Sequence, residues 1–137
     1  MKVSELMSSD VEFTTPASTT KEAARQMHDQ HVGALPVVID ERLVGMITDR
    51  DICCKVTATG RDAGWTKVEE VMVKDVVTCL DDQSARDAAD IMIDNHIRRL
   101  PVMTHDNYMV GFLSVDDLAR SSHDLASSVL EASRTMH

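Results

Sequence analysis

An internal repeat constrains the fold of this chain more than any single motif does. Residues 3–39 align with residues 68–104 at an offset of 65, and residues 44–51 align with 110–117 at an offset of 66, after one extra residue in a turn. Identical residues in the two copies include Val3 and Val68, Met7 and Met72, Ala23 and Ala88, His31 and His96, and Leu35 and Leu100. A repeat of this size forms one supersecondary unit, which buries its apolar face by stacking on its twin.

Each copy is predicted to run strand, helix, strand, strand, helix. Capping boxes at Thr19–Glu22 and Ser84–Asp87 open the first helix of each copy, because a hydroxyl and a carboxylate three residues apart satisfy free backbone N–H groups. Small and apolar residues then recur at the spacing of one helix face. Strands are predicted at Val11–Phe13, Leu35–Ile39, Leu43–Ile47, Val76–Thr78, Leu100–Met103 and Met109–Leu113, and final helices at about Arg50–Val56 and from about Val115 into Leu130.

Composition excludes several classes of protein. Of the 137 residues, 43% are hydrophobic and 27% are charged, as in an ordinary globular protein. The net charge of −9 argues against sequence-independent nucleic-acid binding, which relies on Lys and Arg. No run of about 18 apolar residues indicates a membrane span, and the N-terminus has no signal-peptide pattern. We therefore expect a cytoplasmic protein that binds neither nucleic acid nor membrane.

The cysteines and the single tryptophan are expected to have structural roles. Cys53, Cys54 and Cys79 are an odd number without CxxC spacing, which implies neither a disulfide framework nor a zinc site. Buried, reduced thiols are expected, because free cysteine is among the most buried residue types. Trp65 lies in a glycine-containing linker, and we expect it to pin that linker to the body of the protein.

Two glycine-led stretches, one in each copy, mark a strand that runs into a helix. In each, a hydroxyl residue is followed three positions later by aspartate: Thr48 by Asp51, and Ser114 by Asp117. These pairs fit a helix cap that needs no ligand and contributes about 1 kcal/mol. The same groups, beside the free N–H groups of a helix start, also suit an anion or a polyol. The residues alone leave both interpretations open.

This doubled pattern resembles the CBS domain, named after cystathionine β-synthase, and two copies in tandem resemble a Bateman module. The resemblance rests on the repeat, on a Leu-Pro-Val segment with histidine four residues before the leucine, and on the glycine-to-aspartate turn. It implies an α+β fold in which two CBS repeats, each β-α-β-β-α, pack about a pseudo-twofold axis. The implied divisions are a first repeat with its N-terminal segment at 1–56, a linker at 57–67, a second repeat at 68–121 and a helical tail at 122–137.

The resemblance also implies two ligand clefts, each of which takes its hydroxyl and aspartate from one repeat and its strand-start residues from the other. The first cleft would contain Thr48, Asp51, Val76, Thr78, Arg98 and Arg99. The second would contain Val11, Phe13, Gly33, Ala34, Ser114 and Asp117. An arginine in the first cleft can bind phosphate oxygens, whereas the second has no cation. We expect an adenine nucleotide in the first cleft and an empty, occluded or nucleoside-binding second cleft.

The sequence thus predicts a non-enzymatic regulatory module that senses adenosine-containing ligands of the AMP, ADP or ATP type. The family implies a homodimer, and the lack of an attached catalytic domain implies action on a separate, unidentified protein target. No catalytic residue and no required cofactor are predicted, because glycine-rich phosphate loops and nucleophile motifs are absent. His28 and His31 lack a third ligand, so no metal site is predicted. The alternative is a dimerising stress or interaction protein whose nucleotide clefts are vestigial.

Overall fold

The computed structural model describes residues 1–134, which group into two compact units. One unit is Glu12–Val76, and the other joins Met1–Val11 to the residues from Val77 onward. Residues 1–11, which the sequence groups with the first repeat, therefore pack with the second, and residues 68–76 pack with the first. In chain order the helices are α1 (Val3–Leu6), α2 (Thr20–Gln30), α3 (Asp49–Ile52), α4 (Ala85–Asn95), α5 (Val115–Ala119) and α6 (His123–Arg134), and the strands are β1 (Ala34–Ile39), β2 (Arg42–Thr48), β3 (Cys79–Leu80), β4 (Arg99–Met103) and β5 (Met109–Ser114).

The capping boxes open α2 and α4 as predicted. At α2 the Thr19 hydroxyl accepts a hydrogen bond from the Glu22 N–H at 3.1 Å, and the Glu22 carboxylate accepts one from the Thr19 N–H at 3.2 Å. Both helices end at a histidine in the left-handed conformation, His31 with φ 56° and His96 with φ 55°. The aligned histidines of the two repeats therefore occupy the same position, at the end of a helix.

Each repeat contains the predicted antiparallel hairpin, β1 with β2 and β4 with β5. The first strand of each repeat is displaced from its predicted position. Only Thr14 bridges to Val37 in the first unit, in place of Val11–Phe13, because its N–H donates to the Pro36 carbonyl at 2.9 Å. In the second unit β3 begins at Cys79, which aligns with Thr14, and pairs with β4 in parallel.

The final helices also differ from the prediction. In the first unit α3 passes directly into a π-helical turn, Cys53–Thr57. In the second unit the single helix expected from Val115 into Leu130 is two helices, α5 and α6. Ser122 interrupts it, because its hydroxyl accepts a hydrogen bond from the Leu125 N–H at 3.3 Å and so opens a new helix.

In each unit a short segment crosses the hairpin, residues 71–73 over β2 and residues 6–8 over β5, and a glycine makes room for it. We call these two stretches the crossing segments. Over β2 the Val73 carbonyl lies 2.9 Å from the position of a Cβ on Gly45, and over β5 the Ser8 carbonyl lies 3.0 Å from that of Gly111. The segments bond to the strands there, Met46 with Val73 and Ser8 with Phe112. A Cβ would also come within 2.7 Å of Met72 Sδ at Gly45 and still closer to Met7 Sδ at Gly111, so a side chain at either position would have to displace part of the crossing segment.

Each unit encloses its own core of aliphatic, alanine and methionine side chains. Among residues 1–134, no helix is both long and apolar enough to cross a bilayer. The expected role of Trp65 is wrong: its side chain is 87% exposed, and the linker is held by backbone hydrogen bonds rather than by the indole. The expectation of buried thiols is confirmed for Cys79 and wrong for Cys53 and Cys54, which are exposed on the π-helical turn.

Candidate functional site

The start of α3, at Thr48 and Asp51, is both capped and ion-paired. The Thr48 hydroxyl accepts a hydrogen bond from the Asp51 N–H at 3.1 Å, and Asp51 Oδ2 accepts one from the Thr48 N–H at 3.0 Å. Asp51 Oδ1 lies 3.1 Å from Lys55 Nζ, which also donates to the Val71 carbonyl at 3.0 Å. The Asp51 side chain is only 12% exposed. One carboxylate thus orders the helix start and, through Lys55, holds the crossing segment.

The start of α5, at Ser114 and Asp117, repeats this arrangement. The Ser114 hydroxyl accepts from the Asp117 N–H at 3.2 Å, and Asp117 Oδ2 accepts from the Ser114 N–H at 2.8 Å. Arg120 Nη2 donates to Asp117 Oδ1 at 2.9 Å and also to the Leu6 carbonyl of the other crossing segment. The capping interpretation is therefore correct for both copies. It does not exhaust the carboxylates, because each has about four lone-pair sites and these contacts use two.

The start of β1 and the first residue of α3 form an acidic corner, which we call the first corner: Gly33, Ala34 and Asp49. The Asp49 N–H donates to the Gly33 carbonyl at 2.9 Å, and Asp49 Oδ2 lies 3.1 Å from the position that a Cβ on Gly33 would take. Ala34 is buried and pairs across the hairpin with Thr48. The carboxylate of Asp49 therefore covers the glycine that occupies the place of an arginine in the other repeat.

The equivalent second corner, Arg98, Arg99 and Val115, is basic. The Val115 N–H donates to the Arg98 carbonyl at 2.8 Å, as Asp49 does to Gly33, but the Val115 side chain is apolar and buried. Arg98 Nε donates to the hydroxyl of Ser133, on α6, at 2.9 Å. Arg99 pairs across the hairpin with Ser114 and is exposed, and its guanidinium has no hydrogen-bond or ion-pair partner within residues 1–134.

The remaining candidate residues line the chain around Thr14 and Cys79. Val11, Val76 and Thr78 are half-buried, and the Phe13 side chain is 50% exposed, with its carbonyl accepting from Gln26 Nε2 at 3.1 Å. Each predicted cleft draws on both units. Thr48, Asp51, Val76, Phe13, Gly33 and Ala34 belong to the unit 12–76, and Thr78, Arg98, Arg99, Val11, Ser114 and Asp117 belong to the other.

Sequence reasoning missed four residues that act on the candidate set: Asp49, Lys55, Arg120 and Ser133. A signal existed for three of them. Asp49 aligns with Val115 at the offset of 66, which marks a charge present in one repeat only, and Lys55 and Arg120 lie four and three residues after their aspartates, the spacing of a helical ion pair. Ser133 had no local signal, because its contact with Arg98 spans 35 residues.

The titratable groups with shifted pKa values lie outside these two corners. Burial, with the nearby Asp81 charge, raises the pKa of the Cys79 thiol to about 12. The hydrogen bond between Asp82 and His105, 2.8 Å long, lowers the pKa of the aspartate and raises that of the histidine. A backbone hydrogen bond from Lys67, together with Arg61, lowers the pKa of Glu70.

Histidine and cysteine are not gathered into a metal centre in the described part of the chain. His28 Nδ1 lies 3.1 Å from Asp29 Oδ1, and both side chains are exposed. Within residues 1–134, no three His, Cys, Asp or Glu side chains are grouped so that they could hold a metal ion.

Comparison with known proteins adds a family to this geometry. The family model for the CBS domain matches the chain twice, at residues 3–56 and at residues 68–124. The chain belongs to the CBS domain family. The two matches correspond to the two copies of the repeat.

Other CBS proteins match this chain along most of its length. The CBS domain-containing protein YhcV of Bacillus subtilis is 42% identical over 130 residues, covering 93% of this chain and 91% of YhcV. The crystal structure of Hypoxic Response Protein I, with two coordinated zinc ions, superposes with a TM-score of 0.80 at 30% identity, covering 88% of this chain and 98% of that one. The structure of CBSX2 in complex with AMP shares the fold, with a TM-score of 0.77 at 22% identity over 90% of this chain and 97% of CBSX2.

Proposed function

We propose that this CBS pair is a non-enzymatic sensor that binds one adenine nucleotide, with the phosphate held by Arg99. The observation that carries the proposal is the opposite charge of the two corners, because Asp49 lies over Gly33 in one repeat, and in the other the Arg99 guanidinium has no partner among residues 1–134. The complex of CBSX2 with AMP supports it, since that fold accommodates such a ligand.

The polar groups of the first cleft, which includes the basic second corner, suit the parts of a nucleotide. Asp51 retains acceptor sites for the two ribose hydroxyls, and the hydroxyls of Thr48 and Thr78 can donate to ribose or phosphate oxygens. Arg99 supplies a fixed charge in a fork that matches phosphate geometry. Val76 offers an apolar surface for the base. Arg98 is already bonded to Ser133, so Arg99 is the principal phosphate ligand.

The second cleft, which includes Gly33 and Ala34 of the acidic first corner, suits an uncharged ligand at most. Ser114 and Asp117 can bind a ribose, and Val11 and Phe13 offer apolar surface. Gly33 and Ala34 bring no cation, and the nearby Asp49 carboxylate repels phosphate. This cleft therefore discriminates against nucleotides in favour of a nucleoside or remains empty.

Output from such a sensor requires a second molecule. We infer that the chain self-associates as a homodimer and that occupancy of the first cleft changes how the dimer engages a separate protein target. The absence of a catalytic motif in the sequence favours this division of labour.

Titration calorimetry with AMP, ADP, ATP and adenosine tests the proposal. We expect one tight event for the nucleotides, and the Arg99→Ala variant should weaken it by about 10- to 150-fold, the range for a charged hydrogen bond. Adenosine should lose much less. Arg86→Ala, which removes an exposed charge elsewhere in the same unit, is the matched control. Equal affinity for adenosine and AMP, or unchanged AMP binding by Arg99→Ala, would contradict the assignment.

A second candidate function is an interaction protein with vestigial clefts, and the exposed Trp65 favours it. A thermal-shift screen against adenine nucleotides, S-adenosylmethionine and NAD(H) separates the two, because a ligand that binds only the folded state raises its apparent stability. Stabilisation by a nucleotide supports the sensor, and no response to any ligand at millimolar concentration supports the interaction protein.

A further inference from the structure

The only tryptophan of the chain is presented to solvent on an ordered turn. The Trp65 N–H donates to the Asp62 carbonyl at 3.0 Å, and the Thr66 hydroxyl donates to the same carbonyl at 2.8 Å. The Gly64 N–H donates to Asp62 Oδ1 at 2.8 Å. A large apolar ring in this position costs little conformational entropy when a partner covers it, because the backbone beneath it is already fixed.

This turn is anchored to the beginning of α2. The Thr20 N–H donates to the Thr66 carbonyl at 2.7 Å, and the Lys21 N–H donates to the Ala63 carbonyl at 3.1 Å. Lys21 Cδ also lies 4.0 Å from the position of a Cβ on Gly64. Trp65 therefore has a defined place beside the first turn of the helix.

A largely apolar pocket lies further along the same helix. Its volume is about 400 Å³, and its lining combines apolar side chains, among them Ala24, Met27, Val32 and Ile52, with Cys53 and the polar residues His28, Asp49 and Thr57. Pockets of this size hold small ligands or single large side chains. Val32 is 40% exposed although it is a β-branched apolar residue, and it widens the apolar rim.

The turn that carries Trp65 contacts α2 at Lys21, and the pocket borders the same helix at Ala24 and His28. Lys21, Ala24 and His28 are spaced by three and four residues, so they share one face of α2. From Lys21 to His28 the helix rises by about 10 Å at 1.5 Å per residue. When two copies of α2 lie antiparallel about a twofold axis, the first turn of each helix lies beside the last turn of the other. Trp65 of each copy then lies over the pocket of its partner.

We propose that two copies of this chain associate by exchanging Trp65, each indole filling the pocket on α2 of the other copy. The contact is self-complementary, as a twofold interface requires, since the same surface supplies both the ring and the pocket. A buried Trp removes about 150–250 Å² from water and belongs to the residue types that dominate interfaces. The contact rests on the self-association in the proposed function and gives that dimer its interface.

Intrinsic fluorescence reads this contact directly, because the chain has one Trp. In wild-type protein, emission from Trp65 should shift to the blue and acrylamide quenching should fall as sedimentation detects the dimer. Trp65→Ala should raise the dimer dissociation constant by about 30-fold or more, the loss expected for a hot-spot side chain. Cys53→Phe, which fills the pocket, should do the same while leaving Trp65 exposed. Ile39→Ala, at an exposed apolar residue outside the pocket, is the control and should leave the constant unchanged.

Each remaining outcome overturns the exchange. A dimer in which Trp65 stays accessible to acrylamide, or whose dissociation constant is unchanged in Trp65→Ala, has another interface. A chain that stays monomeric at all concentrations rules out the contact together with the proposed homodimer. A blue-shifted Trp65 in the monomer would mean that the pocket or another surface of the same copy covers it. Calorimetry with AMP is a separate measurement, so a failure of nucleotide binding is distinguishable from a failure of the exchange.

Discussion

At the starts of α3 and α5, a hydroxyl and an aspartate cap the helix by the same two bonds, and a cation joins each aspartate to its crossing segment. The corners beside these two starts carry opposite charge. Asp49 covers Gly33 in the first, and Arg98 and Arg99 stand in the second. The two repeats thus keep the same cap and the same link to the crossing segment, and differ in the charge of the neighbouring corner. In the proposed function, that difference in charge sets the ligand preference.

The largest expected effect tests the part that the two copies share. Gly45→Ala and Gly111→Ala should each destabilise the protein by about 1–3 kcal/mol, because the added Cβ meets both a methionine side chain and a backbone carbonyl of the crossing segment. Urea unfolding measures the loss, and each variant serves as the control for the other. A loss at only one glycine would mean that the crossings are not equivalent and would break the comparison.

A smaller effect is expected at the corner where the copies differ. Asp49→Asn removes the carboxylate charge and keeps the shape, so the weaker cleft should gain about tenfold in affinity for AMP, or roughly 1.4 kcal/mol, with adenosine unchanged. Calorimetry measures both ligands. Asp116→Asn, an exposed acid in the other repeat, is the control. An equal gain for adenosine would show that Asp49 does not act by repelling the phosphate.

The smallest effect concerns an ion pair found in the second copy, where the first has Ala17 and Asp40 at the matching positions. The pKa of His105 is raised, so its contribution to stability is present below its ordinary value of 6.5 and is lost as pH rises through the raised pKa. The pKa of Asp82 is lowered, so its contribution is present above its ordinary value of 3.8 and is lost as pH falls through the lowered pKa.

The difference in unfolding free energy between wild type and His105→Gln should therefore be greater at about pH 5.5 than at about pH 8.5. Asp82→Asn should show the same pH dependence relative to wild type. If the difference in unfolding free energy between wild type and variant is the same at both pH values, this exposed pair does not contribute to stability.

The sequence predicted those elements that local geometry determines. The capping boxes at Thr19 and Ser84 and both hairpins follow from residues within a few positions of one another, and the fold class follows from the family resemblance, which the repeat supports. The alignment could equate Met7 with Met72, but it could not show which hairpin each segment crosses, because that pairing is set by long-range packing. The exposure of Trp65 could not be predicted for a similar reason. Backbone hydrogen bonds hold the linker in place, and such bonds leave no signal in the composition.

The candidate site was predictable as a set of residue types and less so as a set of partners. Thr48 and Asp51 could be paired from their spacing, and the inequality of Gly33 and Arg98 was visible in the alignment. The bond from Arg98 to Ser133 was not, because α6 was expected to continue from α5, and only the break at Ser122 gives α6 a separate path.

The division of the chain between the two units bears on how it can be cut. A fragment ending at residue 56 keeps α2 and both strands of its hairpin but lacks residues 68–76, so the Lys55 ammonium loses its carbonyl acceptor at Val71 and β2 loses its bond to Val73. Residues 12–76 form one uninterrupted stretch that retains those partners. The boundaries of the sequence repeat therefore differ from those of the compact unit. Truncated variants of this chain should be cut at the boundaries of the compact unit.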